Sequence, residues 1–496
     1  MILHPTQEKF IELKGKFNRV PILGEKIVPQ FNPSHFFRSM IGSGPNAFLF
    51  ESGKGPEATA RYTMMGQSNS KTLQANHDGI IISNNGTREA KQGSTLSILD
   101  HLNFEFNGAP FDYVPHFWGG WVGTIGYEMA RCLDTISLRS KDDLDLPLLY
   151  FFQVDQLWVY DHTTQTLKMI ISKQCLNNPQ KYFGETVQEI ERIWQQAESV
   201  LNTPPEPVNH VSSAQPTGNK SGLHSNLSES QYIEMVERTK LYIKEGDIYQ
   251  ANLSQRFETT FRGEAFDLYE NLRQINPSPF SGYLKMGDLT LVSSSPERLV
   301  KVEKGVLETR PIAGTRPRGR NNEEDNHLTT ELLLNEKEQA EHLMLVDLER
   351  NDMGRICEYG SVQVTEQMFV EQYSHVSHIV SNIRGILKPG IIFKDLLKAV
   401  FPGGTITGCP KIRCMEIIDE LEPVARGPYS GSFGYIGFAD YIDLNIIIRT
   451  ILVKDDRAYF HVGAGIVADS IPANEYQETL DKAAAMIDVL TGRQGN

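Results

Sequence analysis

Apolar positions along the chain recur with two different spacings, and the switches between them predict its elements. Leu148–Val159 (LLYFFQVDQLWV) and Thr166–Ser172 (TLKMIIS) are dense in β-branched and aromatic residues and read as strands, while Pro179–Ala197 reads as an amphipathic helix. From Asn202 to Ser230 (NTPPEPVNHVSSAQPTGNKSGLHSNLSES) apolar side chains almost vanish and Pro, Ser, Asn and Gly take over, which predicts a linker. Ser228 with Gln231 then fits a capping box, Ile233, Val236 and Ile243 keep one face, and Gly246 suits the stop. That helix leads into a strand pattern from Ile248 (IYQANLSQRFE). Further strands at Leu289–Ser293, Leu299–Val302 and Ile446–Val453 are interspersed with helices at Glu323–Arg350, Lys411–Glu420 and Glu475–Leu490. Strands are too many for a simple strand–helix alternation, so an α+β fold with large sheets is expected. No repeat of fixed period is present. The organisation is thus an N-terminal portion (1–200), a linker (201–228) and a second portion (229–496).

Composition narrows the class. The 496 residues are 40% hydrophobic, and the 40 glycines bring that share to about 48%, an ordinary globular value. Lys and Arg number 48 against 62 acidic residues, a net charge of −14 that repels nucleic acid and anionic membranes. Apolar runs such as Leu146–Phe152 are far shorter than the ~20 residues of a membrane span, and no signal-peptide pattern opens the chain. Five scattered cysteines (Cys132, Cys175, Cys357, Cys409, Cys414) include no CxxC pair, so neither disulfides nor zinc is suggested and the cytoplasm is the expected compartment.

Two Glu-x-x-Glu steps carry the strongest chemical signal. Glu338 and Glu341 lie three apart in one helical pattern, which puts both carboxylates on one face, and Glu475 and Glu478 repeat the step at the start of the last helix. Like charges on adjacent turns are unfavourable unless a hard cation such as Mg²⁺ joins them, and the plain alternative is two solvated acidic faces. FPGGTITGCPKIR (Phe401–Arg413), with Gly404 and Thr405, offers glycine backbone and hydroxyls to an anion ahead of a helix, and GAGIVADS (Gly463–Ser470) could act similarly. Arg449 in IIIRT reads as a lone cation inside an apolar strand, where a carboxylate is needed, from the protein or from a ligand. His342, His375 and His378 add candidate acid–base groups near the first acidic pair. The residues thus describe a Mg²⁺ site beside carboxylate receptors, for a small anionic substrate.

At these motifs the chain resembles the chorismate-utilising enzymes, in the aminating branch that contains anthranilate synthase component I and aminodeoxychorismate synthase component I. The resemblance runs from FLFES and RYTMMG through GDIYQANLSQRF, SSSPERL, ETRPIAGTRPRG, EKEQAEHLMLVDLERND, YSHVSHIVSNIRG and FPGGTITGCPKIRCMEIIDELEP to SGSFGYIGF, IIIRT, GAGIVADS and EYQET, nearly the whole chain. It implies an α/β sandwich of two large, mainly antiparallel sheets flanked by helices, with the active site in the cleft between them. It implies further that Glu341 and Glu478 sit on the Mg²⁺ side of the ring carboxylate, with Glu338 and Glu475 reaching the metal through water. Arg449, Tyr429 and the backbone around Gly465 resemble receptors of the enolpyruvyl carboxylate, and Gly404 and Thr405 lie in the turn that receives the ring carboxylate. His378 matches the histidine beside the departing C4 hydroxyl, Glu297 in SSPE a further acid, and Ala313 and Thr315 fall in the PIAGT segment of the site.

Gln250 separates branches of that family. Isochorismate and salicylate synthases place a lysine there to activate water, whereas a neutral amide cannot act as that base and ammonia needs none. Ala313 and GAGIVADS resemble anthranilate synthases, while YQANL (Tyr249–Leu253), Glu349 and FPGGTITG resemble aminodeoxychorismate synthases, and these distributed features favour amination at C4. No G-x-C-x-G elbow surrounds any cysteine, so ammonia is expected from a separate glutamine amidotransferase subunit. FLFES, with Glu51 and Ser52, and NPSPF, with Asn276, Pro277 and Phe280, resemble the family's tryptophan-binding region; a structural tryptophan, a regulatory one and a merely packed site stay open. A non-catalytic regulatory subunit that keeps the cleft for binding is the remaining alternative.

Overall fold

The computed structural model describes residues 1–42, 44–51, 61–68, 70–77, 79–91, 94–102, 111–134, 136, 140–175, 177–204, 222–372 and 376–492. Its strands form two sheets. The first runs, edge to edge, through Ile2–His4, Ile22–Ile27, Thr166–Ile171, Gln156–Asp161, Tyr62–Gln67, Asn46–Glu51, Phe280–Met286, Leu289–Ser295, Thr450–Lys454, Arg457–Ile466, Gln250–Thr260 and His224–Ser225, with Gly408–Cys409 added beside Gln250. The second runs through Ile312–Pro317, Val376–Ile386, Val306–Thr309, Arg298–Glu303, Tyr441–Ile446, Ser432–Gly437, Gly120–Ile125, Leu149–Val154, Lys71–Asn76, Gly79–Asn84 and Thr87–Lys91, with Gln363–Gln372 against Val376–Ile386. Every pair within these sheets is antiparallel, as expected.

Aromatic side chains from both sheets meet between them. Phe48 of the first sheet lies 6.4 Å from Phe152 of the second, ring to ring, and Phe50 stacks on Tyr435 at 6.3 Å. Each such ring removed from water contributes roughly 1.5–3 kcal/mol, and their tilted packing sets how the sheets face each other. Both sheets contain strands from before and after the linker, in two blocks that meet at one pair in each: Asn46–Glu51 with Phe280–Met286, and Gly120–Ile125 with Ser432–Gly437. Of the linker, residues 205–221 lie outside the described set; the preceding helix extends to Leu201, and the next begins at Glu229 with the expected Ser228–Gln231 capping box and a left-handed Gly246 stop.

Three expected elements are each split. Leu148–Val159 is two strands in different sheets, Leu149–Val154 and Gln156–Asp161, because the chain changes sheet at Asp155. Ile446–Val453 is likewise two: Tyr441–Ile446 ends in the second sheet and Thr450–Lys454 begins in the first. Glu323–Arg350 is two helices, Asn322–Leu334 and Glu336–Gly354, with Asn335 ending the first and capping the second by accepting from the Glu338 N–H at 3.1 Å.

Candidate active site

The chain passes from one sheet to the other at two adjacent places, and both carry site residues. Pro296 and Glu297 join Leu289–Ser295 to Arg298–Glu303, and residues 447–449 join Tyr441–Ile446 to Thr450–Lys454. The crossings are tied together: the Ile446 N–H donates to the Glu297 carbonyl at 3.0 Å, and the Ser294 N–H donates to the Arg449 carbonyl at 3.1 Å. Arg449 is therefore not inside a strand, as its sequence suggested. It occupies the bend, at a φ of 49°, because the backbone must turn out of one sheet and into the other. Among the described residues it forms no ion pair, so an internal salt bridge does not account for this cation.

Glu297 is buried beside it. Burial raises its carboxyl to about 7, although the Thr405 hydroxyl and the charges of Arg449 and Lys482 oppose the rise. The Thr405 hydroxyl is itself buried and faces that carboxyl without a closed hydrogen bond. It is carried by the short turn Gly404–Ile406, which packs on the helix Glu336–Gly354; a side chain on Gly404 would meet Leu348 at 2.2 Å. The next residue of that helix, Glu349, is also buried, and desolvation followed by the charge of Asp352 raises it to about 8 despite Lys411.

His378 comes from the strand Val376–Ile386. Its partner strand has a bulge between Ala313 and Thr315, where Gly314 adopts a φ of 64°. The bulge turns the Gly314 carbonyl to His378 Nδ1 at 3.2 Å, and since a carbonyl only accepts, Nδ1 carries the hydrogen. Burial, reinforced by Arg449, lowers this imidazole to about 4, so it is neutral and accepts protons rather than supplying them near pH 7. Ala313 is buried in the same strand, and Thr315 stands opposite His378 in register; the Thr315 side chain lies outside the described set. His342 is fully buried against the Ser381 hydroxyl at 2.6 Å and serves packing, whereas His375 lies outside the described residues.

Gln250 opens the long strand Gln250–Thr260. Its Nε2 approaches Glu341 Oε1 at 3.5 Å, and its Oε1 is buried with no partner among the described residues. Gly465, in register with Asn252 on this strand, lies close to the amide: a side chain there would meet Gln250 Nε2 at 2.6 Å. At Gly463 a side chain would meet the hydroxyl of Tyr429 at 2.6 Å. Both glycines thus leave backbone open where carboxylate receptors are expected. Tyr429 is buried, its hydroxyl 3.5 Å from Asn252 Oδ1 and its ring stacked on His461.

The acidic pairs behave less alike than their spacing suggests. Glu338 is held by Arg316 Nη1 at 3.2 Å, whereas Glu341 points to Gln250. Glu475 is 8% exposed, but Glu478 is half exposed and ion-paired to Lys482 Nζ at 2.7 Å. Four carboxylates are the oxygen donors that a hard divalent cation takes, and the unpartnered Gln250 oxygen beside Glu341 suits a missing donor or cation there. The residue types fit Mg²⁺, although among the described residues no three His, Cys, Asp or Glu groups converge closely enough to hold a metal.

The tryptophan-like elements are neighbours, with Glu51 opposite Ser281 in register. Glu51 is engaged by Arg273 and by the Tyr269 hydroxyl at 2.6 Å, the Asn276 carbonyl accepts from Ser294, and Arg298 lies over the Phe280 ring at 5.0 Å. Pro277 follows in the turn before Phe280, and Ser52 lies outside the described residues. Lys482 and Arg316 escaped the sequence reading. The signal for Lys482 was present, since it stands four residues after Glu478 on a helix, the spacing of an ion pair.

Comparison with known proteins agrees with this geometry. Residues 45–488 match the family model described as chorismate binding enzyme. Anthranilate synthase component 1 of Acetivibrio thermocellus is 39% identical over 491 residues, 99% of each chain, and aminodeoxychorismate synthase component 1 of Bacillus subtilis (strain 168) is 40% identical over 460 residues, 91% of this chain and 93% of its own. The crystal structure of anthranilate synthase component I from Streptococcus pneumoniae TIGR4 superimposes with a TM-score of 0.73 at 35% identity, covering 86% of this chain and 92% of its own. A family match over most of the chain, shared by relatives with two different products, makes this protein a member of the chorismate-binding enzyme family.

Proposed function

We propose that the chain aminates chorismate at ring C4, using ammonia from a separate glutamine amidotransferase subunit, to give 4-amino-4-deoxychorismate for para-aminobenzoate and folate synthesis in the cytoplasm. Gln250 carries this reading: a neutral, buried amide stands where a water-activating enzyme needs a base. Ammonia is already nucleophilic, and an amide oxygen without a donor suits an N–H.

The remaining roles follow from charge and protonation. Arg449, the Tyr429 hydroxyl and the backbone at Gly465 receive the enolpyruvyl carboxylate, while Gly404 and Thr405 receive the ring carboxylate. Glu297, protonated up to about pH 7, donates to the departing C4 hydroxyl, and neutral His378 beside it accepts a proton. Mg²⁺ would be held by Glu341 and Glu478, with Glu338 and Glu475 through water, and when bound it supplies Lewis acidity at the ring carboxylate. Burial raises the thiols of Cys132, Cys357, Cys409 and Cys414, the reverse of what a glutamine-cleaving nucleophile needs, which supports an outside source of ammonia.

For C4 over C2, the support is the set of distributed sequence features, YQANL with Gln250, Glu349 and FPGGTITG with Thr405, together with the electrostatic contact of Glu349 and of Thr405 with Glu297. Ala313 favours the second reading, anthranilate synthase component I, because an alanine cannot form the covalent adduct a lysine would at this position. Purified protein with chorismate, Mg²⁺ and ammonium at alkaline pH decides. Mass spectrometry should find aminodeoxychorismate with its enolpyruvyl group; anthranilate fluorescence with pyruvate release would replace the C4 reading by the C2 one. Glutamine alone should give no product until an amidotransferase subunit is added.

A further inference from the structure

Each acidic pair of the proposed metal site has one member already bound to a cation of the protein. On the last helix, Glu478 Oε1 is 2.7 Å from Lys482 Nζ. Lys482 is anchored at its other side, donating to the Gly463 carbonyl at 3.0 Å, and its charge reaches Glu297. On the helix Glu336–Gly354, Glu338 Oε1 is 3.2 Å from Arg316 Nη1, while Arg316 Nε holds Glu331 at 3.1 Å. Of the other members, Glu341 faces Gln250 and Glu475 is buried. The same arrangement thus occurs on two unrelated helices, supplied once by a lysine four residues along and once by an arginine from a separate strand.

We infer that Lys482 and Arg316 are resident counter-cations of the metal site, each holding one acidic residue until a divalent cation takes its place. This rests on the proposed Mg²⁺ site but goes beyond it, since it concerns what holds these carboxylates in the metal-free protein. Without counter-charge, carboxylates on adjacent helical turns repel one another. A monovalent ammonium or guanidinium relieves that repulsion but satisfies only one carboxylate at a time, whereas a divalent ion joins several. Binding is therefore an exchange: Glu478 leaves Lys482 and Glu338 leaves Arg316. Lys482 keeps its bond to the Gly463 carbonyl, which leaves its charge close to the carboxylate receptors. It acts as a positioning residue, through Glu478 and the Gly463 backbone.

The test is divalent-ion binding to the full chain without substrate, by calorimetry with Mg²⁺ and by electron paramagnetic resonance with Mn²⁺, at fixed ionic strength. Because the Glu478–Lys482 pair is partly exposed, its removal should tighten binding by about two- to fivefold in Lys482→Met. Lys482→Arg, which keeps the charge, should restore the wild-type affinity. Lys482→Met should also melt lower than wild type without Mg²⁺ and gain more from its addition. Unchanged or weaker ion binding in Lys482→Met overturns the inference. If that variant fails to fold, Arg316→Gln tests the same exchange at Glu338, with tighter binding expected and unchanged binding decisive against it. A wild-type chain that binds neither ion at millimolar concentration would instead remove the metal site on which the inference rests.

Discussion

At the scale of single residues, the site divides its labour by solvation. Glu297 and His378 are both buried, yet desolvation moves them in opposite senses, because it disfavours the charged form and their charged forms differ. The acid is raised to about 7 and the imidazole lowered to about 4, so near neutrality the carboxyl can donate and the ring can accept. A pH prediction follows. With free ammonia held constant, kcat/KM for chorismate should fall about tenfold per unit as pH rises above about 7, since the donating form of Glu297 is the protonated one. Glu297→Gln should lose that limb and drop the plateau by about 10²-fold or more; a variant that keeps the limb would assign it to another group. Resemblance to the family's SSPE and YSHVSH motifs made these two residues legible as candidates, but not their protonation states. His378 looked equally able to give or take a proton until burial and the Gly314 carbonyl fixed its tautomer.

At the scale of elements, the sequence was most legible where one element stays in one environment. The helix Glu229–Glu245 keeps its cap and its glycine stop as read, although the face it buries is Tyr232, Met235, Val236 and Thr239, of which only Val236 was expected, while Ile233 and Ile243 are half-buried. It was least legible where an apolar pattern continues through a change of sheet: in Ile446–Val453 the only polar interruption is Arg449–Thr450, which read as a lone cation within one strand rather than as the crossing between two. That crossing is where Arg449 sits, so the error concealed why a cation is tolerated there. Asn335, inside a run with helical pattern throughout, was similarly invisible as a junction. The bulge at Gly314 lets such an element be tested. Alanine there would hold a left-handed backbone at a cost of about 1–2 kcal/mol. Its Cβ would also meet Leu332 at 2.9 Å and Glu338 Oε2 at 3.0 Å. Gly314→Ala should therefore lower the melting temperature and, by shifting the carbonyl that orients His378, reduce kcat more than it changes KM. A variant with normal kcat would show that the bulge does not position the histidine.

At the scale of the whole molecule, a chain of net charge −14 holds a site for a dianion. The field far from the protein is negative, but Arg449 and Lys482 both act on the buried Glu297, and short-range interactions there are screened far less than those at the surface. This local inversion needs both portions of the chain, because the crossings that carry Glu297 and Arg449 join sheets that neither portion builds alone. Expressed by itself, the segment from residue 222 to the end would leave Phe280–Met286 without Asn46–Glu51 and Ser432–Gly437 without Gly120–Ile125. Two central strands would become long exposed edges bearing Tyr283, Phe433 and Tyr435, which are buried in the intact chain. The segment alone should accordingly aggregate or fail to melt cooperatively, although it contains every residue assigned to the reaction. Co-expressed with residues 1–204, it should be recovered as a one-to-one complex by size exclusion with chorismate turnover restored, since the break falls in the polar stretch between the helix ending at Leu201 and the strand at His224. A soluble, cooperatively melting second segment would mean that the pairing between portions is dispensable, and that the strands after the linker hold their core without it.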